Sequence, residues 1–558
     1  MEHRKNAFRF SLVVLTLVIS LVVFSLKLIL IQVFKSPYLS GLAAKQHNSF
    51  IDLEPVRGTI FDRNLRPMAF NVPVYSLFAN PKGMTENEKT QAIERLFPLL
   101  DLSTEYLTER LNRDKYFIWI KRKLSIEVTE QIKELRLKGI HFQRESERFY
   151  PNGSLAAHVI GFADTDNKGL EGMELSYDRY LKGKMGRMQV LRDAHQTALQ
   201  VDQDFEPPQD GFDLVLTIDE TIQYITEKAL ENAYIKHDAK AGSVIVMDVK
   251  TGEILALANQ PTYNLDEVSN SNVENRTNRA VSYVYEPGSV FKVITAAAAL
   301  EEELFSEEDK IFCENGKYKI ANHILTDHHP YGTLTFREVF GKSSNIGVVK
   351  IAQKIGPGLI YKYGKRFRFG MPTGIDVRGE VDGWLKDPSQ WSKTTIGAIP
   401  IGYEVTVTPL QLVAAVSAIA NEGVFMRPFV VKYIKDKNGQ VIKEFQPTVV
   451  DRVISPVTAH RLKEILKGVV EDGTGKRARI EGVEVAGKTG TARKVMGGQY
   501  VKGKYYASFM GFAPVNDPRL AMVVVMDQPH PSYFGGTVSA PVFQEIMSNS
   551  LRYLKISE

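Results

Sequence analysis

The run Glu286-Pro287-Gly288-Ser289-Val290-Phe291-Lys292 is the most informative stretch for the fold of this chain. Its proline and glycine predict the start of a helix, and the apolar residues Val290 to Leu300 predict that this helix is buried. Ser289 is then expected in the first turn, at the positive end of the helix dipole. Lys292 follows on the same helix face, within reach of the serine hydroxyl. The pair has the composition of a nucleophile with its general base.

A lysine acts as a base at neutral pH only when its charged form is disfavoured. Burial would desolvate Lys292, and a second cation, Lys488, is expected across the cleft, so both effects lower the pKa of Lys292. Ser343 and Asn345 flank a single residue, a spacing that lets two side chains of a tight turn point into a cleft. We predict that Ser343 relays a proton and that Asn345 binds a substrate amide.

The residues Lys488-Thr489-Gly490-Thr491-Ala492 follow an apolar approach and predict an edge strand beside the nucleophile. Lys488 completes the predicted catalytic set, and Thr489, Gly490 and Thr491 are assigned to substrate binding. A cation and hydroxyl groups at this edge can hold a carboxylate. A backbone N–H of the strand can join that of Ser289 as an oxyanion hole.

S-x-x-K alone occurs by chance in many helices and S-x-N is a weaker signal still, whereas K-T-G-T-A after an apolar approach is more specific. In this order and spacing the three resemble the active-site signature of the penicillin-binding proteins and serine β-lactamases. The middle motif carries Ser344 where the common form has Asp. That difference falls at the central position and leaves both Ser343 and Asn345 in place.

The resemblance extends over both halves of the chain to the class B, monofunctional penicillin-binding proteins. Four further segments resemble boxes of the N-terminal pedestal of that family: Arg57 to Asn64, Arg148 to Pro151, Ala157 to Gly161 and Gly169 to Glu174. The residue types in the three active-site runs are most similar to the division-specific, septal branch. The elongation branch is the alternative.

The resemblance implies a membrane-anchored serine D,D-transpeptidase that cross-links peptidoglycan outside the cytoplasmic membrane of a bacterium. Ser289 would attack the carbonyl between two D-alanines of a stem peptide, and an amino group of a neighbouring stem would resolve the acyl-enzyme. β-Lactam antibiotics would acylate the same serine. No metal or organic cofactor is implied. The implied partners are the stem peptides, the lipid bilayer, a polytopic membrane glycosyltransferase and other division proteins.

Two other classes of function share these motifs. A class D-like β-lactamase or β-lactam sensor also uses S-x-x-K and K-T-G, although a hydrolase would not need a pedestal between anchor and catalytic domain. A catalytically silent scaffold of the division machinery would only bind partners, and the intact motifs argue against it.

An N-terminal membrane anchor is predicted for residues 10–34, which are mostly Leu, Val, Ile and Phe, with Lys27 as the one charged residue. A cleaved signal peptide competes with this interpretation, because Leu42-Ala43-Ala44 offers small residues, but the apolar stretch is longer than a typical signal core. Residues 1–9 are predicted to be cytoplasmic. Basic residues lie on both sides of the anchor, so this orientation derives mainly from the resemblance.

The predicted fold class is α+β. An elongated mixed α/β pedestal is expected over residues 48–205, and a turn-rich boundary at Glu206 to Gly211 separates it from a transpeptidase domain over residues 211–555. Apolar strands at 243–247, 253–257, 486–494, 505–512 and 520–526 predict a five-stranded antiparallel sheet covered by helices. The last helix is predicted from about Pro541 to Leu554.

Composition excludes several other classes of protein. The 558 residues carry a net charge of +5 with interspersed acidic and basic residues, which favours a solvated surface over nucleic-acid binding. The single cysteine, Cys313, excludes an intrachain disulfide. Asp327-His328-His329 lacks the spacing of a metal-ligand pair and predicts a surface loop near the cleft.

Overall fold

The computed structural model describes residues 2–39, 48–192 and 198–556. The chain forms two compact units. The first comprises Met1–Val56 and Gly183–Asp210, and the second comprises Arg57–Lys182 and Gly211–Glu558. Two chain segments therefore contribute to each unit.

The first unit contains the predicted anchor and a small sheet. An α-helix spans Glu2–Ile29 and continues as a π-helix over Leu30–Phe34. The helical stretch His3–Phe34 is long and apolar enough to cross a membrane. The sheet is antiparallel, with the strand order Asn48–Leu53, Gly186–Arg192, Ala198–Glu206. The competing cleavage site at Leu42-Ala43-Ala44 lies outside the described residues.

The N-terminal segment of the second unit supplies strands and helices of the predicted pedestal. Strand Pro67–Ala79 pairs with both Ile118–Leu124 and Ile140–Phe149. Helices Glu86–Leu100, Thr104–Leu111 and Ile126–Glu134 begin after the N-caps Thr85, Ser103 and Ser125, whose hydroxyls accept backbone N–H groups. Their apolar faces pack on the sheet through a shared core that includes Leu77, Leu96, Leu107 and Ile132.

This pedestal sheet continues into the C-terminal part of the chain. Its seven strands follow the order Val441–Glu444, Val431–Lys435, Asp213–Leu216, Ile60–Phe61, Pro67–Ala79 and Ile118–Leu124, with Ile140–Phe149 attached to Pro67–Ala79. Ile60–Phe61 lies parallel to Asp213–Leu216. Strands from before and after the predicted boundary near Gly211 thus share one sheet.

The predicted five-stranded sheet is present. Its strands are β1 (Ala241–Asp248), β2 (Ile254–Gln260), β3 (Ala486–Met496), β4 (Gln499–Ala513) and β5 (Leu520–Asp527), in the antiparallel order β2-β1-β5-β4-β3. Residues of β1 alternate between two cores: Val244 and Val246 face one, while Ile245 and Met247 face the other. β3, which carries Lys488, is an edge strand, as predicted.

Helices cover both faces of this sheet. Helices Glu220–Lys236 and Gly535–Tyr553 pack on one face, and Pro409–Ala420 packs on the other. The remaining helices of this part are Val273–Arg276, Arg279–Ser282, Lys292–Glu301, Phe336–Gly341, Asn345–Ile355, Pro357–Arg366 and Pro456–Glu471. Short strand pairs complete it: Lys310–Phe312 with Thr333–Thr335, Lys317–Ile320 with His323–Thr326, Trp384–Leu385 with Val405–Thr406, and Val424–Met426 with Val449–Arg452.

The last helix begins earlier than predicted, at Gly535, and Pro541 lies inside it. The prediction used Pro541 as a first-turn residue, but a tertiary contact sets the start instead. The N–H of Gly535 donates to Thr491 Oγ1 at 3.1 Å. The approach is so close that a Cβ at residue 535 would lie 2.3 Å from the carbonyl oxygen of Gly490. The position of the helix start is therefore set by its contacts with β3.

Residues of the pedestal-like boxes form a buried ion-pair network. Glu174, which has no exposed surface, accepts from Arg57 Nε and from Arg148 Nε, each at 2.6 Å. Arg57 Nη1 also pairs with Asp178 at 2.7 Å. Because Arg57 is only 1% exposed, these contacts stabilise the packing of the second unit rather than form a surface for a partner.

Candidate active site

Ser289 lies in a 3₁₀ turn, Gly288–Phe291, that leads directly into the α-helix Lys292–Glu301. The prediction placed Ser289 in the first α-helical turn, and the tighter turn corrects it. Such turns are common at helix N-termini because they satisfy otherwise free backbone groups. The helix itself is buried from Lys292 to Leu300, as the apolar run predicted. Ser289 is half-buried at its tip.

The turn before Ser289 is held by Glu286, whose role sequence reasoning missed. Glu286 Oε1 accepts from the Glu404 N–H at 2.8 Å and from the Tyr500 hydroxyl at 3.1 Å. Burial raises the pKa of Glu286. Beside it, Gly402 adopts a positive φ of 83° and packs so closely that a Cβ would lie 2.1 Å from the Gly288 carbonyl oxygen. The nucleophile turn is thus fixed from two sides.

Lys292 is fully buried, and its amine lies within hydrogen-bonding distance of three oxygen atoms of the middle motif. Its Nζ lies 2.7 Å from Ser343 O, 3.2 Å from Ser343 Oγ and 2.7 Å from Asn345 Oδ1. Burial holds the pKa of Lys292 well below its ordinary value, the charge of Lys488 lowers it further, and Asp327 partly opposes this shift. The direction agrees with the expectation from sequence. A lowered pKa makes the neutral form of Lys292 easier to reach, and the neutral form is the one that a general base requires.

Lys488 also contacts the hydroxyl of Ser343. Its Nζ donates to Ser343 Oγ at 3.0 Å and to the Thr489 carbonyl at 3.4 Å. Lys488 has no exposed surface, and burial lowers its pKa to about 7. The Ser343 hydroxyl oxygen therefore accepts from two lysines, which leaves its own proton available for donation.

The middle motif forms the junction between two helices. Helix Phe336–Gly341 ends just before Ser343, which adopts a left-handed φ of 58°, and helix Asn345–Ile355 begins after the N-cap Ser344. A left-handed residue after a helix C-terminus is a common way to end the helix. The junction lets Ser343 and Asn345 both meet Lys292, while the Ser344 hydroxyl accepts from Gly347 N at 2.9 Å.

Asp327 supports this junction, although sequence reasoning placed it only in a surface loop near the cleft. Its carboxylate accepts from Ser344 Oγ at 2.6 Å, Asn345 N at 2.5 Å and Ile346 N at 3.2 Å. It therefore caps the helix that presents Asn345 and places a negative charge near Lys292. No short-range pattern links Asp327 to Ser344. Within the described ranges, no group of three or more His, Cys, Asp and Glu side chains could hold a metal ion.

The three predicted substrate-binding residues occupy different positions on β3. The Thr489 hydroxyl shares a 2.7 Å hydrogen bond with that of Thr474, and Thr491 Oγ1 accepts from Gly535 N. Gly490 provides close approach, because a Cβ there would lie 2.2 Å from Ser508 Oγ and 3.0 Å from the Pro287 carbonyl oxygen. The strand can therefore pass beside the nucleophile turn only with glycine at this residue.

We expect Lys488→Met to separate activity from stability. The folded state holds the pKa of Lys488 near 7, below the ordinary 10.5, so its charged form costs stability below pH 7 and this cost fades as pH rises toward 10.5. At pH 6 the variant should keep or raise the melting temperature, while acylation by penicillin falls at least about 100-fold. Differential scanning fluorimetry and acylation kinetics measure both.

Lys494→Met is the matched control on the same strand. Lys494 Nζ pairs with the buried carboxylate of Asp527 at 2.6 Å, so its loss leaves that charge unpaired. We expect it to destabilise the protein by about 3–5 kcal/mol. A melting temperature that falls as far for Lys488→Met as for Lys494→Met would contradict the assignment.

Two domain families of known proteins match this chain. The penicillin-binding protein transpeptidase domain matches residues 242–548, and the penicillin-binding protein dimerisation domain matches residues 52–216. A probable peptidoglycan D,D-transpeptidase of Neisseria gonorrhoeae is 37% identical over 90% of this chain and 86% of its own length. Stage V sporulation protein D of Bacillus subtilis is 36% identical over 98% of this chain and 86% of its own length.

A solved structure shows the same fold. Penicillin-binding protein 3 of Mycobacterium tuberculosis, complexed with aztreonam, has a TM-score of 0.71 and 28% identity, and the match covers 91% of this chain and 98% of that one. The chain belongs to the penicillin-binding protein transpeptidase family. Its pairing of a dimerisation domain with a transpeptidase domain confirms the predicted class B type.

Proposed function

We propose that this protein is a serine D,D-transpeptidase that cross-links peptidoglycan stem peptides through an acyl-enzyme at Ser289. The observation that carries the proposal is the shared contact of Ser343 Oγ with two buried lysines, at 3.2 Å from Lys292 Nζ and 3.0 Å from Lys488 Nζ. A hydroxyl between two amines whose pKa values are lowered can pass a proton between them, and we propose that it serves Ser289, which precedes Lys292 by one turn.

The chemistry follows from these contacts. Lys292 accepts the proton of Ser289 as Oγ bonds to the carbonyl carbon between two D-alanines. That proton then moves from Lys292 through Ser343, which gives its own proton to the departing amine and takes one from Lys292, as the carbon–nitrogen bond breaks. D-Alanine is released and an ester remains on Ser289. An amine of a second stem attacks the ester and loses a proton to the same relay. The new amide forms and Ser289 regains its hydrogen.

The β3 edge would bind the terminal carboxylate of the donor stem and orient its carbonyl. Lys488 and Thr489 supply a cation and a hydroxyl there, and the N–H groups of Ser289 and of the strand would stabilise the oxyanion. Asn345 would receive the preceding amide. These roles use only residues of this chain.

We expect Thr489→Val to slow acylation by carboxylate-bearing β-lactams about 10-fold or more, because it removes a hydroxyl without changing side-chain size much. The melting temperature should shift only slightly, since just one hydrogen bond, to Thr474, is lost. Stopped-flow acylation with a penicillin and with its methyl ester measures the effect. Equal slowing for acid and ester would show that Thr489 does not contact the carboxylate.

The proposed activity is tested by labelling the purified full chain with a fluorescent penicillin and following turnover of a reporter β-lactam. A transpeptidase should form a long-lived acyl-enzyme and hydrolyse the reporter slowly. Fast reporter turnover would instead support the class D-like hydrolase or sensor. A folded protein that takes no label would support the silent scaffold.

We infer that the N-terminal helix anchors the protein, with residues 1–9 in the cytoplasm and the catalytic part outside. The length and apolar character of His3–Phe34 support a single span. The orientation is supported by the substrate, because peptidoglycan lies outside the cytoplasmic membrane. Protease protection in spheroplasts tests it: digestion should spare only the extreme N-terminus and the anchor.

A septal role is the favoured assignment within the family and is supported by the residue types of the three motifs. Depletion in the native cell distinguishes the branches. Filaments with blocked septa would support the division branch, and rounded cells the elongation branch. Normal growth with defective spores would assign the role named for the Bacillus subtilis relative.

We propose that the pedestal binds a polytopic membrane glycosyltransferase and other division proteins. Arg57 and Arg148 serve internal packing, so this contact would use exposed pedestal residues instead. An anchored variant lacking residues 50–205 should fail to support cell-wall synthesis even where penicillin labelling shows that its catalytic part is folded. Full rescue by that variant would show that the pedestal is a dispensable spacer.

A further inference from the structure

The seven-stranded sheet ends at an open edge. Strand Val441–Glu444 is the last in the strand order and pairs only with Val431–Lys435 among the strands that the structure describes. All four residues are exposed. They include two large apolar side chains, Val441 at 49% and Ile442 at 47% exposure. An edge strand with free N–H and C=O groups can accept another strand.

A cavity of about 350 Å³ adjoins this edge. Lys443 of the strand and Phe445 just after it line the cavity together with Tyr177 and Tyr180. The rings of Tyr177 and Phe445 meet edge to face at 6.1 Å. Because alternate residues of a strand share a face, Lys443 and Phe445 point to the same side of the sheet. A strand added at the edge would place every second side chain toward this cavity.

The cavity carries an excess of positive charge. Arg179, Arg378 and Lys443 line it and are exposed. The carboxylate that lines it, Asp376, already accepts from Val430 N at 2.8 Å and Val431 N at 2.9 Å. One carboxylate offsets only part of the charge of the three cations. A carboxylate brought in by a ligand would complement them.

We propose that an extended, acidic segment of a partner protein docks here by adding a strand along Val441–Glu444. Its backbone would pair with the open edge, and one acidic side chain would enter the cavity toward Lys443, Arg179 and Arg378. This is recognition by strand addition, in which the backbone gives affinity and the pocket selects the side chain. The site is separate from the motifs around Ser289 and does not depend on their chemistry.

A short edge strand that carries a lysine can also be a device against unwanted pairing. Two observations favour docking over protection. The strand exposes adjacent apolar residues, Val441 and Ile442, and it continues into a preformed cavity rather than into solvent. Protection alone would require neither of them.

Binding of a synthetic probe to the full chain in detergent tests the proposal. The probe is a fluorescent ten-residue peptide that alternates glutamate and valine, and the matched control peptide has lysine in place of glutamate. We expect fluorescence anisotropy to show binding of the glutamate peptide and not of the lysine peptide. Lys443→Glu and Arg378→Glu should each weaken the affinity for the glutamate peptide at least about 10-fold, since each reverses the charge of a contact residue. Lys228→Glu, on helix Glu220–Lys236, is the control for a change of net charge and should bind as wild type.

Penicillin labelling shows that each variant is folded, because none of these lysines or arginines takes part in acylation. Equal binding of both peptides, or binding unaffected by Lys443→Glu and Arg378→Glu, would overturn the proposal. A third outcome would also overturn it: the peptide does not bind, and analytical ultracentrifugation shows a dimer that Lys443→Glu dissociates. The edge strand would then be occupied by a second copy of this chain.

Discussion

Ser289→Ala should abolish covalent labelling by penicillin and leave the fold intact. The substitution removes the attacking oxygen from a half-buried helix tip and opens no cavity, so the free energy of unfolding should change by less than about 1 kcal/mol. Gel fluorescence after incubation with a fluorescent penicillin measures labelling, and thermal unfolding measures the fold.

Ser282→Ala is a suitable control, since Ser282 is a half-buried serine that donates to the Asn278 carbonyl of its own short helix. It should label as wild type. Stoichiometric labelling of folded Ser289→Ala at another residue would refute Ser289 as the nucleophile.

Lys292→Arg should reduce acylation at least about 1,000-fold, because a guanidinium keeps its proton at any accessible pH and cannot serve as base. In the wild-type protein the pKa of Lys292 is held down, so its neutral form appears at lower pH than for an exposed lysine. The acylation rate should therefore rise with pH through that lowered pKa and then level off. The variant should show no such rise, and acylation rates between pH 5 and 10 test this.

Lys350→Arg is the corresponding control on helix Asn345–Ile355. Lys350 pairs with Glu314 in a partly exposed ion pair, away from Ser343. It should keep the wild-type rate and pH profile. Near-normal acylation by Lys292→Arg would exclude a neutral lysine as the base.

Much of the site could be predicted because its residues lie in short runs with regular local structure. Helix periodicity predicts that Lys292 lies one turn after Ser289, and the structure has Lys292 at the start of the buried helix. Lys488 is placed by the strand that contains it. The strands and the buried helix follow from apolar patterns of period 2 and 3.6. The resemblance assigned Ser343 as a proton relay, but its contacts with both lysines were not predicted, since periodicity does not encode contacts between segments.

The features that were missed depend on such contacts. Asp327 caps the junction at Ser344 through the fold of a loop, and Glu286 is held by Tyr500 from the β3–β4 hairpin. The last helix was predicted to begin at Pro541 but begins at Gly535, because Thr491 accepts a hydrogen bond from Gly535. In each case a partner distant in sequence overrides a local signal, and a single sequence does not reveal that partner.

The sheet shared by the two ends of the second unit has a consequence for synthesis on the ribosome. Ile60–Phe61 can pair with Asp213–Leu216 only after the later strand has been synthesised. The Thr59 N–H likewise donates to Asp213 Oδ1, 154 residues further along the chain. Val431–Lys435 closes the other side of Asp213–Leu216 only later still. The pedestal thus emerges early but completes the hydrogen bonding of its sheet only after Val431–Lys435 has been synthesised, and an unpaired strand side stays exposed until then. A recombinant soluble form should accordingly begin before Arg57, because a chain that starts at Gly211 would lack Ile60–Phe61, the strand that pairs with Asp213–Leu216.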